Sequence, residues 1–355
     1  MTPAVVVAVV IVIALIAYAV TGGADFGGGV WDALAHGPRR REQRALIASA
    51  LAPIWEANHV WLIIVVVLLF TCFPRAFADL FIALHVPLSL MLVGIVLRGS
   101  SFIFRAYGSK RLAAQARWSR LFAAASIVTP LVLGASIGAI ASGGVTRSLH
   151  LLDRGDSSAG EMMVQLALRS WLSTFDLTVG LLTLAGFAWL AAVYLCVEAK
   201  DDALRDDFRA RALWTLASLV ALMVLAPLAA RAQAERLYHA LMDQWWSWPY
   251  VGITAVAAAM SGWALWSRRF QLARLAAPAV VALVLGGWAL AQYPYLIPNR
   301  WTIADAAAPP ITIELVLIAV ALGSIVLFPS LIYLMRIFKK EDAPGVPGNE
   351  LTTDD

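Results

Sequence analysis

Residues 3–24 read PAVVVAVVIVIALIAYAVTGGA, an apolar run that contains no charged side chain. A helix of this length covers roughly 30 Å, which is the thickness of the hydrocarbon core of a bilayer. Similar runs recur along the 355 residues, of which 61% are hydrophobic and 14% are charged, with a mean hydropathy of +0.77. A soluble domain carries about 25% charged residues. The sequence therefore predicts an integral membrane protein, with lipid as the solvent for much of its surface.

The length of the apolar runs decides between helices and strands. Lipid offers the backbone no hydrogen bonds, so each run must be a helix or belong to a closed barrel. Barrel strands would be half as long and would alternate in polarity. We therefore predict an all-α fold with about nine transmembrane helices, arranged as two four-helix bundles and one peripheral helix. A single polytopic domain covers residues 1–338, and a disordered cytoplasmic tail covers 339–355. The spans are predicted near residues 3–24, 45–73, 77–97, 120–141, 171–196, 212–231, 250–266, 273–292 and 312–337.

The basic residues predict the orientation of these helices. Of the 27 Lys and Arg residues, 20 fall in the loops after spans one, three, five and seven and in the tail. This count includes Arg98 and Arg105, assigned to the loop after span three. Because positively charged loops stay in the cytoplasm, the N-terminus is predicted outside and the C-terminus inside. Residues 17–19 (AYA) resemble a signal-peptidase site, but no Lys or Arg precedes the run, which favours a retained first helix. The net charge of +4 follows from this topology and does not indicate nucleic-acid binding.

The first segment that could carry chemistry ends span one, where residues 21–32 read TGGADFGGGVWD. Five glycines within eight residues remove side-chain bulk, so neighbouring helices can approach closely or the backbone can unwind. Asp25 lies among these glycines at the predicted cytoplasmic edge of the membrane. It is either a functional intramembrane acid or a helix-terminal carboxylate solvated by lipid headgroups.

The second segment opens span two, where residues 52–61 read APIWEANHVW. Glu56 precedes Cys72 by 16 residues, or roughly 24 Å of helix, which predicts that it lies at a depth similar to that of Asp25. A carboxylate buried in a membrane is costly and is usually retained for ion or proton traffic; structural hydrogen bonding is the alternative. Glu56, Asn58 and His59 cannot share one helical face, so at least one is expected to face a neighbouring helix or a partner.

Haem ligation within this chain is not expected. Only His59 and His85 lie within the predicted spans, and their depths differ by roughly 8 Å, which does not suit a shared iron. Cys72 and Cys196 are predicted near opposite membrane faces, so we expect no disulfide between them. We predict no metal site, no bound cofactor and no catalytic residue in this chain.

At these two segments the sequence resembles the cytochrome bd quinol oxidase subunit II family. That family ends its first helix with a Gly-Phe-Asp-x-Gly-type motif and opens its second with Pro-x-Trp-Asp-Gly-Asn-x-x-Trp. The counterparts are residues 23–27 (GADFG) and residues 53–61 (PIWEANHVW). Two positions depart from the pattern. The second acid is Glu56 instead of Asp, and an Asp usual three to four residues before Asp25 is replaced by Gly22 or its neighbours.

The resemblance implies a heterodimer in the bacterial inner membrane. Its partner, subunit I, would carry two haems b and one haem d and would oxidise quinol while oxygen is reduced to water. Subunit II binds no haem and helps to form an electrogenic proton route from the cytoplasm. Asp25 and Glu56 fall on the acidic positions of that route, with Trp55, Asn58, His59 and Trp61 as motif neighbours. The resemblance leaves open the quinone type, a structural quinone in this subunit and small accessory subunits.

Two other functions remain open from the residues alone. A secondary transporter could use Asp25 and Glu56 for ion coupling, and inverted repeats with interrupted helices near the midplane would favour it. The sequence has no apparent repeat, and its glycine-rich segment lies at the membrane edge. In a purely structural assembly subunit, both carboxylates would be dispensable.

Overall fold

The computed structural model describes residues 2–51, 55–108, 112–155 and 158–338, which are almost entirely helical. Two short antiparallel strands, β1 (Tyr295–Ile297) and β2 (Trp301–Thr302), form a hairpin, and Gln165–Arg169 form a π-helical turn. The helices are α1 (Pro3–Ala33), α2 (Arg40–Leu51), α3 (Trp55–Cys72), α4 (Pro74–Ala83), α5 (His85–Tyr107), α6 (Leu112–Ala141), α7 (Gly144–Arg154), α8 (Ala159–Val164), α9 (Thr174–Glu198), α10 (Asp202–Gln233), α11 (Glu235–Met242), α12 (Ser247–Trp266), α13 (Phe270–Gln292) and α14 (Pro310–Phe338).

Seven helical stretches in the described part are long and apolar enough to cross a membrane. They are α1, α5, α6, the stretch Ala159–Glu198 that ends in α9, α10, α13 and α14. Counting α3 and α4 as one broken span gives eight. The seventh predicted span coincides with α12, whose Trp, Tyr, Ser and Gly residues lower its hydropathy. The chain is an all-α membrane protein with seven to eight candidate spans. The count of nine, the bundle arrangement and the orientation stay predictions.

The chain around the predicted third span, residues 77–97, differs from the prediction. α3 ends at Cys72, and α4 leaves it at an angle of 119° as a separate short helix. Pro74 begins α4 and Pro87 lies in the first turn of α5, positions where the missing N–H of proline costs no helical hydrogen bond. The membrane-crossing helix therefore starts at His85 and extends past residue 97.

The largest hydrophobic core surrounds α9. Trp189 and Leu190 on this helix are fully buried, and α9 packs against α1, α6, α10 and α13. Cys72 and Cys196 are free and buried in two different hydrophobic clusters. The glycine-rich part of α1 is thereby held against the most buried helix of the molecule.

One end of the molecule, which we call the hairpin end, is tied together by Arg300 in the β-hairpin. Its guanidinium donates to Asp79 of α4 and, at 2.6 Å, to Asp153 of α7. Trp301 Nε1 also donates to Asp79, at 2.6 Å. The hydrogen bond from Arg300 holds the pKa of Asp153 below its ordinary value. Asp79 thus fixes the hairpin over α4.

Candidate functional site

Two aspartates are buried near the end of α1. Asp25 keeps 4% and Asp32 keeps 2% of their accessible surface. Because α1 is one continuous helix, their spacing of two turns places them on one face, about 10 Å apart. Sequence analysis selected Asp25 as a candidate and left Asp32 without a role. We call the end of the molecule around Asp32, Arg44 and Arg105 the arginine-rich end.

Asp25 forms a buried ion pair with Arg98 of α5. Arg98 Nη1 donates to Oδ2 at 2.9 Å, and Nη2 donates to Oδ1 at 2.7 Å and to the Asp25 carbonyl oxygen at 2.9 Å. The side chains are 3% and 5% exposed. Assigning Arg98 to a loop was therefore wrong. The Asp25 carboxylate neutralises the guanidinium within the bundle, and α5 continues to Tyr107.

A second ion pair lies nearer the arginine-rich end. Arg105 donates to both carboxylate oxygens of Asp32 at 3.1 Å, and Arg44 of α2 donates to the Asp32 carbonyl oxygen at 3.1 and 3.2 Å. Arg105 also belongs to α5, so its assignment to the loop was wrong too. The acids on α1 and the arginines on α5 repeat with the same spacing of two turns. The two helices are therefore parallel and are joined by two ion pairs in register.

Aromatic rings cover both arginines. The Arg98 guanidinium lies 4.9 Å from the ring centroid of Phe26 and 5.2 Å from that of Phe122, and Arg105 lies 5.0 Å from Phe122. A cation over an aromatic face is stabilised by the quadrupole of the ring, more strongly where water is excluded. Phe122 of α6 thus links the two ion pairs.

Glycines bring α1 close to its neighbours at this depth. A β-carbon on Gly27 would lie 1.9 Å from the Phe187 carbonyl oxygen of α9, and one on Gly29 would lie 2.0 Å from Ser126 Oγ of α6. Of the two predicted consequences of the glycines, close approach or unwinding, the structure has close approach. Trp31 Nε1 donates to the Ala188 carbonyl oxygen at 2.7 Å and closes the α1–α9 contact.

The second motif, on α3, crosses α1 beside Asp25. Asn58 is 4% exposed, and a β-carbon on Gly22 would lie 3.6 Å from its Cβ. The ring of His59, which is half-buried, lies 6.2 Å from the ring of Tyr18. Tyr18 precedes Gly22 on α1, whereas its neighbour His59 follows Asn58 on α3. The two helices are therefore antiparallel. Trp61 lies farther along α3, with its ring 6.3 Å from that of Phe328.

The antiparallel packing of α1 and α3 relates the positions of Asp25 and Glu56, which are predicted to lie at a similar depth. Asp25 follows Gly22 on α1, and Glu56 precedes Asn58 on α3, so both positions lie on the same side of the crossing. The side chains of Trp55 and Glu56 lie outside the described residues. The similar depth of Asp25 and Glu56 therefore stays a prediction.

Three other polar residues of the helices, His85, Asp176 and Glu314, lie apart from this site. His85 is exposed at the first residue of α5, where Nδ1 lies 3.0 Å from the Ile82 carbonyl oxygen. Asp176 is buried and forms a capping box with Ser173 at the start of α9, whereas Glu314 is exposed. The described residues contain no group of three or more metal-ligating side chains. That His59 and His85 share no haem iron stays a prediction.

The chain was compared with known families and structures. The family model "Cytochrome bd terminal oxidase subunit II" matches residues 3–338. Cytochrome bd-I ubiquinol oxidase subunit 2 of Escherichia coli K12 is 28% identical over 219 residues, which cover 60% of this chain and 52% of that protein. The match thus spans about half the length of this relative.

Two further similarities extend over nearly the whole chain. The putative cytochrome bd menaquinol oxidase subunit II of Bacillus subtilis is 22% identical, with 91% of this chain and 92% of that protein covered. A chain in the structure of bd oxidase from Geobacillus thermodenitrificans is 21% identical and has a TM-score of 0.71, with 96% of this chain and 99% of that chain covered. The structural similarity supports the fold.

Proposed function

Because the chain belongs to the cytochrome bd terminal oxidase subunit II family, we propose that it is the haem-free subunit of a quinol oxidase. It pairs with a haem-bearing subunit I in the bacterial cytoplasmic membrane. Two haems b and one haem d in that partner transfer electrons from quinol to oxygen, which becomes water. Subunit II contributes to the assembly of the complex and to the supply of protons from the cytoplasm.

The proton route is proposed to pass Asp25 and Glu56. The observation that carries it is the burial of Asp25 in an ion pair where α1 crosses α3. Ionisable groups within a membrane are retained mainly where they serve ion or proton movement or bind a partner charge. Glu56 occupies the acidic position of the motif on α3, on the same side of the crossing as Asp25.

The ion pair gives the two acids different tasks. Both carboxylate oxygens of Asp25 accept hydrogen bonds from Arg98, so this carboxylate is already paired with a cation. Glu56 is proposed to carry the proton, and the Asp25–Arg98 pair sets the local field. Glu in place of the family's Asp keeps the titratable carboxyl group and lengthens the side chain.

A secondary transporter receives less support from the site. Such proteins bind their ions at interrupted helices near the membrane midplane. The glycine-rich segment here belongs to α1, which is continuous from Pro3 to Ala33. The break between α3 and α4 lies at a helix end, away from Asp25.

The proposal is tested with Glu56→Gln and Asp25→Asn in the purified two-subunit complex. Glu56→Gln is expected to lower quinol-dependent oxygen consumption by about a hundredfold, the size of effect typical of a lost proton-transfer group. Asp25→Asn is expected to lower it as well, because it removes a charge that sets the local field. Turnover is normalised to the haem content from the optical spectrum, because Asp25→Asn also leaves Arg98 without its counter-charge.

Exposed acids provide matched controls. Glu314→Gln and Asp305→Asn make the same chemical changes at exposed positions and should leave turnover unchanged. Near-normal oxygen consumption in both Glu56→Gln and Asp25→Asn, with haems intact, would contradict the proton route and favour a purely structural subunit.

A further inference from the structure

Three polar atoms in or near the Asp25–Arg98 pair have no hydrogen-bond partner among the described residues. They are the Tyr18 hydroxyl oxygen, Nδ1 of His59 and Nε of Arg98, and each is almost fully removed from solvent. Buried polar atoms are nearly always hydrogen-bonded, so an exception calls for an explanation such as a functional role or an ordered water. Three exceptions around one ion pair mark this place as polar and incompletely satisfied by the protein.

His59 is set apart from the other groups by its chemistry. The oxygens of Asp25 are both engaged by Arg98, and the phenol of Tyr18 ordinarily ionises only at high pH. Imidazole gains and loses protons near neutral pH and has two nitrogens, so it can accept a proton on one side and release one on the other. Nδ1 of His59 has no hydrogen-bond partner in the part of the chain that the structure describes.

The polar and charged groups around His59 belong to two neighbouring helices, α1 and α5. Tyr18 of α1 lies beside it, with ring centroids 6.2 Å apart, and the charges of Asp25 on α1 and Arg98 on α5 both act on the imidazole. The effects of these two charges on the imidazole have opposite signs.

We propose that His59 is a proton-exchanging residue, located beside the ring of Tyr18 on the helix that crosses α1 near Asp25. This inference rests on the proposed function and extends the proton route by one turn of α3 beyond Glu56. A proton enters at Nδ1, and the ring passes a proton onward, so the imidazole returns to its neutral form after each transfer.

The experiment compares His59→Gln with His85→Gln in the purified two-subunit complex. Gln retains hydrogen-bonding ability and a similar size but cannot titrate, so it separates proton exchange from a structural role. His59→Gln is expected to lower quinol-dependent oxygen consumption by about tenfold or more and to change the shape of its pH profile. His85→Gln, at the exposed start of α5, should reproduce the parent profile.

A second variant and a spectrum keep the test decisive. Tyr18→Phe removes the neighbouring hydroxyl and should reduce turnover less than His59→Gln, with the same haem spectrum as the parent. Parent-like turnover at every pH in His59→Gln would overturn the inference. If Glu56→Gln and Asp25→Asn are slow while His59→Gln is normal, only this inference fails. If those two acid variants turn over normally, the proposed proton route itself fails.

Discussion

Asp25 and Arg98 are each too costly to bury alone, and the structure buries them together. Removing an ion from water costs several kcal/mol even after the protein relaxes, and a close partner repays this only with good geometry. Here the geometry is bidentate, and Phe26 and Phe122 flank the guanidinium. Among the described residues Asp25 has no other cationic partner, so it depends on Arg98.

Replacing Arg98 with Gln should therefore destabilise the protein strongly. The Asp25 charge would stay buried without its partner, and breaking a buried pair in this way costs about 3–5 kcal/mol. We expect a lower midpoint of thermal inactivation for the purified complex. The double variant Arg98→Gln with Asp25→Asn should recover part of the loss, because it removes the orphaned charge as well.

Arg105→Gln is the matched control for this prediction. Arg105 is 21% exposed, and Asp32 keeps Arg44, with Nε 3.8 Å from Oδ1. The loss of stability should be clearly smaller than for Arg98→Gln. Equal losses at the two positions, or no recovery in the double variant, would show that burial of the Asp25 charge is not the cause.

At the scale of elements, the glycines of α1 set the distance between helices. A β-carbon on Gly27 would meet the carbonyl group of Phe187, with 1.9 Å to its oxygen and 2.5 Å to its carbon. These are backbone atoms of α9 and cannot rotate away as a side chain can. Small residues at such contacts let the backbones of membrane helices approach each other closely.

Gly27→Ala is therefore expected to push α1 away from α9. Overpacking of a tight core costs about 1–3 kcal/mol, which should appear as a lower thermal midpoint and a lower yield of assembled complex. Gly252→Ala in α12 is the control, since no atom outside the local helix lies within 4 Å of the added β-carbon. A Gly27→Ala variant as stable as Gly252→Ala would mean that α1 and α9 separate at no cost.

The basic residues at the arginine-rich end also act on helix ends. Arg205 donates to the Cys196 and Ala199 carbonyl oxygens at the end of α9, and Arg209 donates to those of Leu265 and Trp266 at the end of α12. The last carbonyl groups of a helix lack intrahelical partners and carry the negative end of its dipole. Arginines whose positions predict the orientation of the helices thus also cap helix ends.

At the scale of the whole molecule, long apolar runs predicted the helices, because lipid leaves the backbone no other solution. The partners inside the bundle were not predictable in this way. An arginine at the end of an apolar run is interpreted as a charge in a loop. The only sequence signal for the two ion pairs is that Asp25 and Asp32 have the same spacing as Arg98 and Arg105. The separate helix α4 and the β-hairpin were missed because their sequences are short and depend on tertiary contacts.

Orientation is the remaining whole-molecule prediction, and α10 offers a direct test. Asp202 begins this helix and Glu235 follows its other end; their side chains are 78% and 82% exposed. If Lys and Arg residues mark the cytoplasmic side, Asp202 lies inside the cell and Glu235 outside. Cys72 and Cys196 are buried, so they should give little background with a thiol reagent.

Intact cells carrying Glu235→Cys should react with a membrane-impermeant maleimide, whereas cells carrying Asp202→Cys should react only after permeabilisation. The parent chain serves as the control for Cys72 and Cys196. The reverse pattern would invert the molecule and place the arginine-rich end, with Asp25 and Asp32, on the outer side. A proton route from the cytoplasm through Asp25 would then be untenable, because the buried acids would lie near the outer side, where protons are released.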